Sequence, residues 1–330
     1  MKLRIGLIGL GDAWETRHRP ALRMLHDRFE VRAVYSPVAK LAENSAAEFQ
    51  ADPTDGFRAM VSRCDIDAVM VLKRTWLGWL PMLAAAESGK AIYWAGDLDF
   101  DSDPSTNVRA AIERSGVAFM VEFPRRFAPA TLRLKELIAT RLGAPKLVFC
   151  HRRTEAAKVA NDNENLVQRD MVELIDWCRY IVGTEPESVI SSGVKPDESG
   201  YQSLSLSFPG ENEKPPVRAQ ISCGNYIQPT WHEAVSFRPP SAMQICCEHG
   251  VAFIDLPSTL VWFDNAGRHV ESLETELPVG EQLLTQFHRS VTSLVRNISE
   301  LNDAYRASSI LAAAAQSNQE GRRINLQWQG

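Results

Sequence analysis

Residues 2–14, which read KLRIGLIGLGDAW, constrain the fold of this 330-residue chain more than any other stretch. The apolar positions in it are Leu3, Ile5, Leu7 and Ile8. A short apolar run that ends in glycine is typical of a buried parallel strand entering a tight turn. Apolar residues between Pro20 and Leu25 then predict a helix. The stretch therefore predicts a strand, a glycine turn and a helix in succession.

A strand, a glycine turn and a helix form the first half of a dinucleotide-binding unit. In such a unit Gly9 permits the turn, Gly11 lets the backbone approach a pyrophosphate, and the helix N-terminus supplies N–H donors. Trp14 stands where the pattern G-x-G-x-x-G has its third glycine, so either its side chain points away or the helix starts later. The turn residues predicted to hold the cofactor are Gly9, Leu10, Gly11, Asp12, Ala13 and Trp14. A strand-turn-helix without a nucleotide is the alternative.

The end of the second predicted strand, residues 29–35, bears on the choice between NAD and NADP. Ser36 follows it, and no acidic residue stands where one would bind the adenine ribose. A hydroxyl with a nearby lysine suits a 2′-phosphate better than a bare ribose, so Ser36 and Lys40 slightly favour NADP. Capping of the next helix by Ser36, ahead of Pro37, explains the serine equally well.

Apolar strands alternate with helical stretches as far as about residue 122, which predicts a parallel, doubly wound α/β sheet. Beyond it, short alternating strands separated by Gly and Pro turns predict a sheet that is largely antiparallel. Residues 152–164 are polar and predicted as a loop before a helix over 166–182. We expect an N-terminal Rossmann domain over residues 1–122. A C-terminal α+β domain with a large, mostly antiparallel open sheet is expected over residues 123–330.

Composition narrows the class of protein. Lys and Arg number 36 against 41 Asp and Glu, and the net charge of −5 argues against a nucleic-acid partner. No apolar run reaches the roughly 18 residues that suggest a membrane span. Six cysteines without a C-x-x-C pair fit reduced thiols in a cytoplasm. Residues 246–249, Cys-Cys-Glu-His, are interpreted as a strand entering a turn, and no metal is expected.

The order and spacing of these segments resemble the Gfo/Idh/MocA family, the sugar and cyclitol oxidoreductases named after glucose–fructose oxidoreductase and inositol dehydrogenase. The resemblance covers the whole chain. The matching segments are KLRIGLIGLGDAW, IDAVMVL, AAAESGKAIYW, VAFMVEFPRRFAPATLRLKELI, LIDWCRYIVGTEPESV, CCEHGVAFIDL and SSILAAAAQSNQEGRRINL. The resemblance implies a nicotinamide cofactor, a sugar-like small-molecule substrate and a homodimer or homotetramer.

This chain departs from that family's pattern at the motifs that carry its chemistry. Members usually carry Glu-Lys-Pro after the fifth strand, with the lysine beside the nicotinamide, and alignment through Gly89 and Lys90 puts Gly96 at that lysine. Members also carry a helical histidine as acid/base with an aspartate partner. Alignment through Gly183 puts Glu173 at the histidine and keeps Asp176 at the aspartate. The resemblance therefore implies the scaffold without its usual catalytic set.

Hydride transfer from an alcohol requires a base for the hydroxyl proton and a positive group beside the developing carbonyl. Glu173 and Asp176 lie three apart on a predicted helix and share a face, and one of two paired carboxylates can act as a base. Lys73 follows a Rossmann strand at the edge where ligands bind. The candidate catalytic residues are Asp176, Glu173 and Lys73. The remaining candidates for cofactor contact are Leu72, Lys73, Trp76, Ala95 and Arg126.

Two functions are compatible with this pattern. One is an NAD(P)-dependent oxidoreductase that acts on a sugar, cyclitol or related polyol with rearranged catalytic residues. The other is a redox-inactive relative that binds a nucleotide or sugar as a sensor, regulator or structural partner. The retained glycine turn favours nucleotide binding in both, whereas loss of the lysine and the histidine favours the second for chemistry.

Overall fold

The computed structural model describes residues 1–74, 77–96, 103–155, 160–193, 201–210, 216–227, 230, 241–293 and 299–328. The chain divides into two compact units. The first comprises Met1–Pro124 and Leu277–Tyr305, and the second comprises Arg125–Glu276 and Arg306–Gly330. The structural boundary therefore lies two residues after the one expected at 122. A segment near the C-terminus also belongs to the first unit, which the sequence did not predict.

The first unit contains a six-stranded parallel sheet. Its strands are β1 (Leu3–Ile8), β2 (Phe29–Tyr35), β3 (Asp52–Pro53), β4 (Ala68–Val71), β5 (Ala91–Trp94) and β6 (Phe119–Val121). The order is β3-β2-β1-β4-β5-β6, and every pairing is parallel. The predicted doubly wound sheet is confirmed. Its order reverses between β1 and β4, which is the switch point where such sheets bind ligands at the carboxyl ends of the strands.

The helices follow in chain order. They are α1 (Arg19–Met24), α2 (Ala39–Phe49), α3 (Phe57–Val61), α4 (Leu80–Glu87), α5 (Asp103–Ser115), α6 (Pro129–Leu137), α7 (Ala160–Val182), α8 (Val279–Thr292) and α9 (Ser299–Glu320). Helix α8 belongs to the first unit because its apolar face, with Leu283, Leu284 and Phe287, is buried there and packs beside α1 and β6. None of the described helices combines the length and the apolar character needed to cross a membrane.

The second unit contains a nine-stranded sheet. Its strands are β7 (Pro145–Glu155), β8 (Ser188–Gly193), β9 (Tyr201–Phe208), β10 (Val217–Ile227), β11 (Met243–Cys247), β12 (Val251–Asp255), β13 (Thr259–Asp264), β14 (Gly267–Ser272) and β15 (Ile324–Asn325). The order is β14-β13-β12-β11-β7-β10-β9-β8-β15. Only the β10–β7 pair is parallel among the described pairings, which confirms the mostly antiparallel sheet.

Helix α7 packs against β10 and β7 and covers one face of this sheet. The side chains of Val148 and Cys150 are buried on that face, while Leu147 before them and His151 after them are exposed. The loop expected over residues 152–164 is wrong, because β7 continues to Glu155 and α7 begins at Ala160. Backbone pairing of this end of β7 with β10 extends the strand in spite of its polar sequence.

A buried carboxylate ties together several elements of the first unit. Glu122 follows β6 directly, and its side chain is 2% exposed. It accepts hydrogen bonds from His18 Nε2 at 2.6 Å, from the Tyr93 hydroxyl at 2.8 Å and from Arg17. Because a carboxylate only accepts, His18 carries its proton on Nε2. Burial opposes ionisation of Glu122, but His18, Arg17 and Tyr93 outweigh it and lower its pKa to about 2.

The change Glu122→Gln tests this network. It leaves buried donors facing an uncharged acceptor, so we expect the free energy of unfolding to fall by about 3 kcal/mol at pH 7. The carboxyl pKa is lowered from 4.5 to about 2 on folding, so this stabilisation is present above pH 4.5 and is lost as the pH falls towards 2. Urea denaturation at pH 7, 5 and 3 should therefore show the gap between variant and wild type closing with acid.

The control for this experiment is Glu87→Gln, at the exposed end of α4. It should change the free energy of unfolding by no more than about 0.5 kcal/mol at any of the three pH values. A loss in the Glu122 variant that stays constant from pH 7 to pH 3 would contradict the assignment.

Candidate functional site

The glycine turn after β1 lies against the end of β4. Gly9 has φ of +68°, and a Cβ added there would lie 2.9 Å from the carbonyl oxygen of Lys73. A Cβ on Gly11 would lie 2.3 Å from the carbonyl oxygen of Leu72. Contacts this short exclude a side chain, so the first unit itself requires both glycines. Leu72 and Lys73, two predicted cofactor contacts, thus lie directly beside the predicted turn.

The backbone of the turn presents donors without acceptors. Within the described part of the chain, the amides of Leu10, Gly11, Asp12 and Ala13 donate no hydrogen bond to another residue. They lie just before a helical turn and at the carboxyl edge of the sheet, where successive free N–H groups bind phosphate. This donor set fits the pyrophosphate of a dinucleotide.

Trp14 resolves the missing third glycine in both of the ways that were predicted. Residues Trp14–His18 form a π-helical turn, and the regular helix α1 starts only at Arg19. The indole of Trp14 is buried and packs edge-on against Phe49 of α2, with ring centroids 6.1 Å apart. The bulky side chain therefore points away from the glycine turn and leaves the amides uncovered.

Lys73 and the two residues at the end of β2 have polar partners. The ammonium group of Lys73 lies 3.3 Å from a carboxylate oxygen of Asp12, and both side chains are largely exposed. The hydroxyl of Ser36 accepts the amide of Val38 at 3.2 Å, which supports its local role in the turn. Lys40 is 76% exposed and lies 3.3 Å from Glu43. All three remain candidates for contact with the cofactor.

The packing at the end of β5 explains why residue 96 is not the lysine that the family resembled by this chain carries at that position. Ala95 is buried, and a Cβ on Gly96 would lie 2.7 Å from the indole ring of Trp94. That ring is fully buried and stacks on Trp79 with centroids 5.2 Å apart. A lysine at residue 96 would require the stacked pair to move. Trp76, another predicted cofactor contact, lies outside the described residues.

The two predicted catalytic carboxylates lie on α7 of the second unit, together with a third. Asp170, Glu173 and Asp176 are spaced by three residues and form what we call the acidic face of α7. Arg125 binds both Asp170, at 2.6 Å, and Glu173. Its guanidinium is buried, and although burial opposes its charge, Glu173 and Asp170 raise its pKa. Arg125 therefore remains charged between the two carboxylates.

Asp176 is the most enclosed member of the acidic face, with a side chain that is 1% exposed. Arg126 grips both of its oxygens, with Nε 2.7 Å from one of them, and Arg179 lies 3.4 Å from the other. Arg126 was predicted as a cofactor contact, and its guanidinium here faces Asp176 and the ring of Tyr180. Glu173 and Asp176 thus each pair with an arginine, and no contact between the two carboxylates is found among the described residues.

Sequence reasoning missed the partners of these groups. The structure pairs Arg125 and Arg126 with the acidic face, and the sequence pattern did not indicate these ion pairs. The network of Arg17, His18, Tyr93 and Glu122 was not predicted either. The available signals were a carboxylate directly after a buried strand and three acids at helical spacing. No group of three or more His, Cys, Asp or Glu side chains in the described ranges could hold a metal ion.

Comparison with known proteins finds a family model that matches part of the chain. Residues 3–94 match the model of the Gfo/Idh/MocA family, described as an oxidoreductase family with an NAD-binding Rossmann fold. These residues contain β1 to β5, the glycine turn and the end of β4. The coarser cofactor prediction, a nicotinamide dinucleotide, agrees with that description.

Two sequence relatives match about twice as much of the chain as the family model does. The uncharacterized oxidoreductase YrbE of Bacillus subtilis (strain 168) is 25% identical over 193 residues, which is 57% of this chain and 56% of the relative. The inositol 2-dehydrogenase of Mycolicibacterium gilvum (strain PYR-GCK) is 26% identical over 194 residues, 57% of this chain and 54% of the relative. The chain thus spans about half the length of the curated relatives it matches.

Solved structures extend the likeness in fold to the whole chain. An aldose-aldose oxidoreductase from Caulobacter crescentus, crystallised with glycerol, superposes with a TM-score of 0.80 over 99% of this chain and all of the other. Its sequence identity is 15%, so this comparison concerns the fold alone.

The close approach at the glycine turn gives a test. In Gly11→Ala the added methyl group meets the Leu72 carbonyl, so we expect a loss of about 1–3 kcal/mol in the free energy of unfolding along with weakened nucleotide binding. Gly56→Ala is the matched control, because a Cβ there meets nothing within 4 Å. Urea denaturation compares the two, and equal stability of both variants would contradict the packing described here.

Proposed function

We propose that this chain, whose residues 3–94 match the model of the Gfo/Idh/MocA oxidoreductase family, is a member of that family and transfers hydride between a nicotinamide dinucleotide and a sugar, cyclitol or related polyol. The observation that carries the proposal is the row of uncommitted amides at residues 10–13, beside the switch point of a sheet with Rossmann strand order. The relatives include an inositol 2-dehydrogenase, and this activity suggests the substrate class.

The cofactor is assigned to residues of the first unit. The amides of the glycine turn hold the pyrophosphate, and Leu72, Lys73 and Ala95 lie at the carboxyl ends of neighbouring strands. Ser36 and Lys40 at the end of β2 slightly favour NADP over NAD, because no acidic side chain stands where it would repel the 2′-phosphate. A dinucleotide held by these residues would supply the oxidised nicotinamide that takes the hydride from the alcohol carbon.

The removal of the proton from the substrate hydroxyl is assigned to the acidic face of α7. Glu173 is the proposed acceptor, because its side chain is 8% exposed whereas that of Asp176 is sealed at 1%. Asp176 would act by fixing Arg126 and Arg179 beside it. Lys73 is the proposed positive group for the developing carbonyl oxygen, because its ammonium group is exposed and has only the exposed Asp12 as a partner in the described chain.

A redox-inactive binding protein is the second candidate. It is favoured by the buried indole of Trp94, which a lysine at residue 96 would displace, and by the arginines that hold both oxygens of Glu173 and of Asp176. Such a protein would bind the nucleotide or a sugar as a sensor, regulator or structural partner without turnover.

The deciding experiment combines binding with turnover. Purified protein is titrated with NAD(H) and NADP(H) by fluorescence, and a panel of polyols and sugars with each cofactor is then followed at 340 nm. We expect both cofactors to bind, and we expect at least one substrate to reduce the oxidised cofactor. Glu173→Gln, Asp176→Asn and Lys73→Met should each lower turnover by about 100-fold or more with cofactor affinity largely kept.

Glu274→Gln, on an exposed turn of the second unit, is the control and should leave turnover intact. Thermal unfolding of each variant separates loss of chemistry from loss of fold, which matters most for the buried Asp176. Cofactor binding without any turnover would support the redox-inactive alternative. Absence of cofactor binding would reject the oxidoreductase and the nucleotide-binding form of the alternative.

Assembly and location complete the proposal. The sheet face opposite α7 exposes apolar side chains, which are Leu147, Ile190, Phe263 and Val270. A wide apolar sheet face is seldom left to water, so we propose a homodimer or homotetramer formed through this face, working in the cytoplasm on a small-molecule substrate.

Light scattering should therefore give at least twice the chain mass of 36.8 kDa at micromolar concentration. Phe263→Asp should shift the protein towards the monomer, because it places a charge on the proposed interface. Met24→Asp, at an exposed apolar position of the first unit, is the matched control and should leave the mass unchanged. A wild-type monomer would overturn the assembly.

A further inference from the structure

The cluster around the acidic face of α7 contains more arginines than its carboxylates require. Asp170 is shared by Arg125 and Arg152, and Glu173 is shared by Arg125 and Arg169. Asp176 is held by Arg126 and Arg179, and the latter also makes a two-pronged pair with Glu185. Arg306 is the second partner of Glu185. Among the described residues, six arginines thus meet four carboxylates, and each of those carboxylates has two arginine partners.

The positive excess is located at one end of the cluster. The side chains of Asp176 and Arg179 are sealed, at 1% and 3% exposure. The side chains of Arg152 and Arg169 are 42% and 33% exposed. The acidic face is therefore neutralised at its buried end, and the arginines reach solvent at the end that contains Asp170 and Glu173.

Arg152 has the guanidinium best placed to take another anion. It contacts Asp170 through Nε alone, at 3.3 Å, and its two terminal nitrogens donate to no acceptor in the described part of the chain. It lies on the α7 side of β7, paired in register with Cys223 of β10. The thiol of Cys223 is enclosed there, and burial raises its pKa to about 12. The protonated thiol therefore does not compete for the guanidinium. Asp170 is the carboxylate that contacts Arg152 in the described part of the chain, and the Arg152 side chain is 42% exposed.

We propose that the substrate is a polyol that carries an oxyanion, a carboxylate or a phosphate ester, and that Arg152 binds this group as the specificity-determining residue. The planar guanidinium fork matches both oxyanions and is the side chain most suited to two-pronged recognition. Arg152 shares Asp170 with Arg125, which in turn binds Glu173. An anion on Arg152 would therefore be connected to the proposed proton acceptor through Asp170 and Arg125. This inference rests on the proposed function for its substrate backbone and deepens it.

The experiment measures binding separately from turnover. Full-length protein with saturating cofactor is titrated by calorimetry with D-gluconate, D-glucuronate and D-glucose 6-phosphate, and with the neutral D-glucose and myo-inositol. We expect at least one charged compound to bind tenfold or more tightly than its neutral counterpart. The carboxylate and phosphate arms identify which oxyanion the site takes.

Variants assign the effect to Arg152. Arg152→Gln should weaken binding of the charged compound by about 10- to 100-fold, and Arg152→Lys should recover part of that loss, because it keeps the charge without the fork. If the compound turns over, the loss should appear in KM more than in kcat. Arg268→Gln, an exposed arginine elsewhere in the second unit, is the control and should change neither.

Three results would overturn the inference. These are equal or tighter binding of the neutral compounds, equal loss in the Arg152 and Arg268 variants, and no binding of any charged compound. The proposed function fails by a different result, namely no binding of NAD(H) or NADP(H), or no change at 340 nm with a polyol that does bind. Calorimetry compares the affinities for charged and neutral compounds. It therefore tests the charge preference of the site even when the protein does not turn the compound over.

Discussion

The pairing of two consecutive arginines with the carboxylates of α7 sets the character of the second unit. Arg125 and Arg126 come just before α6, and between them they bind all three members of the acidic face. Buried charges are costly unless they are paired, and removing one partner costs more than the pair contributes. Arg125 and Arg126 therefore hold α7 in position and also set the charge environment of its carboxylates. Changing the arginines or the carboxylates alone would lower the free energy of unfolding.

The same arrangement changes how the candidate catalytic residues are understood. Spacing along a helix predicted two carboxylates on one face, which is how acid/base pairs are often built. In the structure the groups that face each carboxylate are cations. Glu173 is thereby held in a defined position close to the surface, and Asp176 serves as the anchor of a buried ion cluster. Any proton transfer at Glu173 would take place beside the positive charge of Arg125.

Much of the fold was predictable because it depends on local pattern. The run of apolar residues at β1, its glycines and the alternation that follows predicted the parallel sheet, and short alternating strands predicted the mixed sheet. The predictions failed where the structure of a segment depends on residues that are distant in the sequence. The polar end of β7 is a strand because β10 supplies hydrogen-bond partners, and α8 joins the first unit because its apolar face is buried beside α1 and β6. Neither partner can be inferred from the local sequence.

The π-helical turn at Trp14–His18 has a consequence for the tolerance of this region to insertion. Each extra residue in a regular α-helix rotates everything beyond it by about 100°, which would turn the buried side chains of Ala21 and Leu22 away from the core. A turn closed by bonds five residues apart accommodates one more residue than an α-helical turn does. The junction between glycine turn and helix can therefore differ in length by one residue between related proteins while the helix beyond it keeps the same face to the core.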